Sequence, residues 1–188
     1  LTMGTQALRT ALVACGAIAQ PAADAVARHG WAVDIHPLPP LLHNRPERIV
    51  PALREQLADV ARGRTVLIGY ADCGTGGLLD DLLAELEAEF AAAGGAVSRI
   101  PGNHCYEFFA GSERFTELHD AEPGTFYLTD FLAKHFDALV WQGLGLHEHP
   151  SLRDMYFGNY TRVVLLSQTD DPAVLAANAE KLRAALAG

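Results

Sequence analysis

Apolar and polar positions divide the chain into short segments of alternating type. Leu8 to Ala14 is brief, apolar and β-capable, and Cys15-Gly16 cuts it off before an alanine-rich stretch, Ala17 to His29, that predicts a helix. Gly30 ends that helix. Trp31 to His36 alternates as a second strand, broken by Pro37, Pro39 and Pro40. Pro46 then suits a first helical turn, Asn44 its cap and Glu47 the positive end of the helix dipole, so a helix is expected to about Arg62, with Gly63 as its stop.

Thr65 to Tyr70 carries the strongest strand signal. It is a continuous apolar run with β-branched residues, as in parallel strands buried on both faces. Cys73-Gly-Thr-Gly-Gly turns it into a helix over Leu78 to Ala93, closed by Gly94-Gly95. A short strand, Ala96 to Ile100, ends at Pro101-Gly102 and is followed at once by His104-Cys105. Tyr106 to Ala110 has the makings of another helix, and the polar stretch from Gly111 to Gly124 reads as a loop. Phe126 to Leu132 leads into a helix over Ala133 to Gln142. Gly143 to Pro150 reads as loop, Ser151 to Tyr160 as a short helix, Thr161 to Ser167 as a final strand and Pro172 to Leu186 as a terminal helix. Strands alternating with helices predict a doubly wound, mostly parallel α/β sheet with helices on both faces, in a single domain covering residues 1–188. In such sheets small molecules bind beyond the carboxyl ends of the strands.

Composition sets the class of partner. The 14 Lys and Arg stand against 23 Asp and Glu, a net charge of −9, the wrong sign for a nucleic acid partner. No apolar run approaches the roughly 20 residues of a membrane span, and Leu1 to Arg9 lack the pattern of a secretion signal, so a cytoplasmic protein with no membrane partner is expected. A homo-oligomer is compatible with the pattern. Three well-separated cysteines make a poor disulfide framework and a common arrangement for reactive or metal-binding thiols.

Cys15, Cys73 and Cys105 each follow a predicted strand, which would bring all three to one rim of a parallel sheet. Buried cysteines also serve as small hydrophobes, but chance burial does not favour strand ends. Thiolates gathered at one rim suit a zinc ion or a [4Fe–4S] cluster, and spacing does not choose between them. Without a CxxC pair, a site built from distant segments more often keeps a coordination position open for chemistry. A metal-free alternative uses one cysteine as nucleophile with His104 as its base. Gly74, Thr75, Gly76 and Gly77 resemble an anion-binding loop, whose amides would contact a phosphate or carboxylate. GxGxxG spacing and a Gly-Lys-Ser/Thr are both missing, and Asp72 and Asp80-Asp81 repel phosphates, so no nucleotide is expected. His43 and His104 are candidates for proton transfer or a fourth ligand, and Arg45 for holding a carboxylate.

Several segments together resemble the domain of unknown function family 1638, an uncharacterised bacterial and archaeal group. They are Ala14-Cys15-Gly16, Leu42-His43-Asn44-Arg45-Pro46, Tyr70-Ala71-Asp72-Cys73-Gly74, Cys105, and Pro123-Gly124-Thr125-Phe126-Tyr127-Leu128-Thr129. The resemblance implies that the three cysteines and His43 belong to a family site. It also implies, through gene context, a corrinoid methyl-transfer system as partner. His104 departs from the pattern, where an aspartate is expected before the third cysteine.

The expectation is therefore a cysteine-ligated metalloprotein acting on a small anionic metabolite at an open three-cysteine site, by lyase, hydrolase or methyl-transfer chemistry. A non-catalytic metal or redox sensor or carrier is the alternative, and the metal-free nucleophile the third.

Overall fold

The computed structural model describes residues 10–60 and 62–187. The chain divides between Asn103 and His104 into two compact units.

The first unit contains a four-stranded, all-parallel sheet. Its elements are β1 (Thr10–Cys15), α1 (Gly16–His29), β2 (Val33–Leu38), α2 (Ile49–Ala58), β3 (Thr65–Gly69), α3 (Leu78–Ala92) and β4 (Ala96–Arg99). The strand order is β2-β1-β3-β4. In β1 the residues of both parities are buried, as a strand needs when both faces are covered. With the right-handed crossovers that parallel strands take, this order assigns α1 to one face and α2 with α3 to the other. The shared face of α2 and α3 is tied by an Arg54–Glu85 ion pair and by Arg62 donating to Glu89 at 2.9 Å. Ile49, Leu53 and Leu57 are the buried residues of α2, and Leu79, Leu82 and Phe90 those of α3. Mixed α/β architecture around a parallel sheet is thus as the sequence pattern predicts.

Two local details differ from the expectation. The second strand runs through Pro37, paired with Ala14, because β2 is the edge strand, where a missing N–H is tolerated. Pro46 does open a helical turn, but a 3-10 one, Pro46–Arg48, with Arg45 at its N-cap position. Leu8 and Arg9 of the first predicted strand lie outside the described residues.

Gly69 is fixed by close approach. A Cβ built there would stand 2.6 Å from Ala14 Cβ and 3.2 Å from Ile18 Cδ1, so only glycine lets β1 and β3 meet at this level.

The second unit contains α4 (Tyr106–Ala110), α5 (Ser112–Ala121), β5 (Thr125–Thr129), α6 (Asp130–Lys134), α7 (Arg153–Phe157), β6 (Arg162–Leu166) and α8 (Pro172–Ala187). β5 and β6 pair in parallel, from Thr125 opposite Arg162 to Thr129 opposite Leu166, as a separate two-stranded sheet. Leu128, Ala133, Phe136, Val140 and Leu182 form its buried core. The stretch expected as loop over 111–124 is mostly α5: Phe115, its buried residue, packs on Tyr127 with ring centroids 4.9 Å apart, and burying that ring outweighs the polar composition around it. The helix expected over Ala133 to Gln142 is instead α6 followed by a wide, π-type turn, Asp137–Gln142. The helix expected from Ser151 shortens to α7 behind a 3-10 turn at Pro150–Leu152.

Candidate functional site

In the first unit β1 is followed by a crossover to one side and β3 by a crossover to the other. The carboxyl ends of these neighbouring strands are the switch point where open α/β sheets take ligands. Cys15 is the last residue of β1, and Cys73 lies on the turn just past β3. Both thiols are buried, and they are close enough that charge on one disfavours charge on the other.

Burial is the main force on the Cys15 thiol and pushes its pKa up. The Ala17 N–H works against this, the negative charge of Cys73 adds to it, and the buried Tyr70 hydroxyl nearby opposes it again. Cys15 therefore holds its proton at neutral pH. Tyr70 is 2% exposed, so its hydroxyl acts on the thiol from inside the unit.

Cys73 has a φ of +49°, unique among the described residues that are not glycine. A side chain in this region costs about 1–2 kcal/mol. Two backbone bonds hold the turn: Asp72 N donates to Gly102 O and Cys73 N to Asn103 O, each at 3.0 Å. Positive charge reaches the same turn from Arg99, at the end of β4. Its guanidinium grips Asp80 through Nε at 2.5 Å and Nη2 at 3.0 Å, and donates through Nη1 to the carbonyls of Ile100 and Gly102. Arg99 is held charged, chiefly by Asp80, with Asp72 and Cys73 also contributing. A Cys73 thiolate and the Arg99 cation stabilise one another.

The glycine loop already has an anion. The amides of Gly74, Gly76 and Gly77 donate to the Asp72 carboxylate at 3.2, 3.2 and 2.9 Å, and the Thr75 hydroxyl donates to it at 2.9 Å. These bonds, the one from Gly77 foremost, draw the Asp72 pKa below its ordinary value. The contacts expected between these four residues and a bound anion are thus supplied from within the loop.

His43 and Arg45 are exposed on a segment anchored at both ends against the cysteine turns. A Cβ built on Gly16 would stand 3.0 Å from Pro40 Cδ, and one built on Gly74 would stand 3.3 Å from Pro46 Cγ. The segment between these prolines therefore spans from the Cys15 turn to the Cys73 turn.

Cys105 and His104 belong to the second unit. Cys105 is partly buried at the start of α4. The exposed His104 has its ring edge-on to Phe115 at 6.0 Å, and its backbone N–H donates to Glu107 Oε1 at 3.2 Å. Among the described residues, no group of three or more His, Cys, Asp or Glu is gathered that could hold a metal ion. In the first unit the sequence-predicted residues brought together are Cys15 and Cys73. Sequence reasoning missed Tyr70 and Arg99, although both sit at strand ends, the signal that picked out the cysteines.

Among the described residues no helix is long and apolar enough to cross a membrane. No curated protein and no solved structure matches the chain. The model of one family, described as Protein of unknown function (DUF1638), matches residues 37–186, a span that holds His43, Cys73 and Cys105 and begins after Cys15, and the chain belongs to that family.

Proposed function

We propose that the switch point of the first unit is a paired-thiol active site acting on a small anionic metabolite. The observation that carries this reading is the coupling of Cys15 and Cys73 at the ends of neighbouring parallel strands. Two buried thiols that repel each other's charge carry at most one negative charge near neutral pH. The ionised member is then a nucleophile and the other a proton donor.

The surroundings support assigning these roles. Cys73 has the Arg99 cation in electrostatic reach and serves as the thiolate. Cys15, pushed up by burial, keeps its proton for the group that Cys73 attacks or displaces. Arg45 and His43, on the segment pinned between the two turns, are the groups for holding the anion and moving a proton at the solvent side. The strained backbone of Cys73 accords with such a role, since unfavourable conformations are kept where a group must be aimed.

A second reading rests on the same coupling. Two thiolates from adjacent strand ends are donors for a thiophilic metal such as zinc, and a cation between them would relieve the repulsion. The described residues provide no third protein ligand around this pair, so no catalytic step is routed through a metal.

One experiment separates the two. Protein purified without oxygen is analysed for metal, and its thiols are alkylated in the folded state and located by mass spectrometry. The nucleophile reading expects less than a tenth of an equivalent of metal and modification of Cys73 before Cys15. Stoichiometric metal that protects both thiols and is lost in Cys73→Ser would replace it with the metal reading. Equal, slow modification of both thiols with no metal would defeat both.

A further inference from the structure

The two cysteines of the first unit sit on one short frame. Ala14 and Gly69 are opposite each other where β1 and β3 pair, and a Cβ built on Gly69 would stand 2.6 Å from Ala14 Cβ, so the strands are drawn together one residue before Cys15. Tyr70 and Ala71 stay buried as the chain runs on from β3 toward Cys73. Pro40 lies against Gly16 and Pro46 against Gly74, the residues that follow the two cysteines. Between these prolines the chain is mostly a 3-10 helix, Pro40–Asn44, which advances only about 2 Å per residue, so one short span reaches both turns. Cys15 is 6% and Cys73 8% exposed, so a group formed on either sulfur is shielded from bulky reagents in solution.

From this we infer that the pair is also an oxidation switch: a small hydroperoxide joins Cys15 and Cys73 in a disulfide within the chain, which closes the site to its substrate, and an external dithiol reopens it. The inference rests on the paired-thiol reading and names how that site is regulated.

The roles already assigned to the two sulfurs carry the chemistry. The Cys73 thiolate attacks the terminal oxygen of the hydroperoxide, an S–O bond forms and the O–O bond breaks. The proton held on Cys15 goes to the departing alkoxide, or to hydroxide where the oxidant is hydrogen peroxide. Cys73 is then a sulfenic acid, oxidised by two electrons, and the hydroperoxide has been reduced to an alcohol or water. Cys15, having given up its proton, is a thiolate. It attacks the Cys73 sulfur and expels hydroxide as the S–S bond forms. The proton transfer that assists the first step thus arms the second thiol. A dithiol reverses the change by two exchange steps and leaves as its own disulfide.

The test treats the full chain with a slight excess of hydrogen peroxide, as wild type and as Cys105→Ser, in which the pair holds the remaining cysteines. Intact mass and peptide mapping locate the products. Both proteins are expected to lose two hydrogens, to yield a Cys15–Cys73 cross-link, and to have Cys73 alkylated at least about tenfold more slowly until dithiothreitol restores it. In Cys15→Ser, checked for native circular dichroism, the Cys73 sulfenic acid should persist and be trapped by dimedone. A Cys73 sulfinic acid with Cys15 still reduced would overturn the switch. So would a disulfide to Cys105 or between two chains, or two intact thiols after peroxide. Each of these leaves the paired-thiol reading standing if the reduced protein is still alkylated at Cys73 before Cys15, so the two failures are told apart.

Discussion

Parallel strand ends in the two units are furnished differently. At the end of β5 in the second unit, the Asp130 carboxylate accepts bonds from the Ser167 hydroxyl at 2.9 and 3.0 Å, the Gln168 amide at 2.5 Å and the Asn178 side chain at 2.9 Å. Its acceptor sites are taken up in tying β6 and α8 to β5. At the ends of β1 and β3 in the first unit, Asp72 is consumed in the same way by its own loop, but Cys15 and Cys73 are thiols, which make weak hydrogen bonds and are not quenched by them. Parallel strands collect polar groups at their carboxyl ends in both places. Chemistry is left over where the collected groups do not saturate one another.

This contrast can be broken by mutation, and the largest effect lies beneath the thiol site. Gly69→Val puts atoms where Ala14 and Ile18 already stand, so the first unit is expected to lose about 3 kcal/mol or more, measured by urea unfolding. Stability within about 0.5 kcal/mol of wild type would mean that β1 and β3 do not approach as described.

Asp130→Ala comes next, at about 2 kcal/mol, because three donors lose their acceptor together. Cys15→Ala is expected to cost about 1 kcal/mol at most while changing the reactivity of Cys73. Equal costs at both strand ends would erase the distinction between a structural and a chemical furnishing.

Asp72→Ala is expected to cost about 1 kcal/mol, since its surroundings are largely open to water, and it frees three loop amides. Millimolar inorganic phosphate should then raise the melting temperature of the variant and leave the wild type unmoved. A phosphate response of equal size in both would mean that Asp72 is not the anion that the loop holds. The pH dependence carries opposite signs at the two groups. Asp72, depressed when folded, contributes stability above its ordinary carboxylate value, and that contribution is lost as pH falls through the native value. Cys15, raised when folded, contributes stability below the ordinary thiol value of 9.0, and this is lost as pH rises from there through the native value. In Cys15→Ala the alkaline loss should shrink, and in Asp72→Ala the acid loss.

The smallest effect is at Cys73 itself. Glycine adopts a φ of +49° without penalty, so Cys73→Gly should be about 1 kcal/mol more stable than Cys73→Ala. Equal stability of the two would remove the strain argument.

Much of this was legible in the sequence. Apolar runs ending on Cys15 and before Cys73, with helices after each, are enough to place both thiols at one edge of a parallel sheet. The strand order that makes them neighbours is a tertiary fact, and with it comes the role of Arg99, brought beside β3 by the pairing of β4. Tyr70 read as the last residue of a buried strand, because its hydroxyl acquires meaning only when β1 is alongside. The glycine loop read as an anion site for the right physical reason, but Asp72, noted for repelling phosphate, is itself the anion. Pro37 read as a strand breaker because sequence does not mark which strand is at the edge. Ser112 to Ala121 read as loop because one buried ring, Phe115, organises an otherwise polar helix.

The pairing of the two thiols is tested most directly by the pH at which Cys15 becomes alkylatable in two variants. Cys73→Ser removes the neighbouring charge and should move that midpoint down, whereas Tyr70→Phe removes a hydroxyl that favours the thiolate and should move it up. Shifts of opposite sign are the predicted result, and a midpoint unmoved in both variants would contradict a shared site.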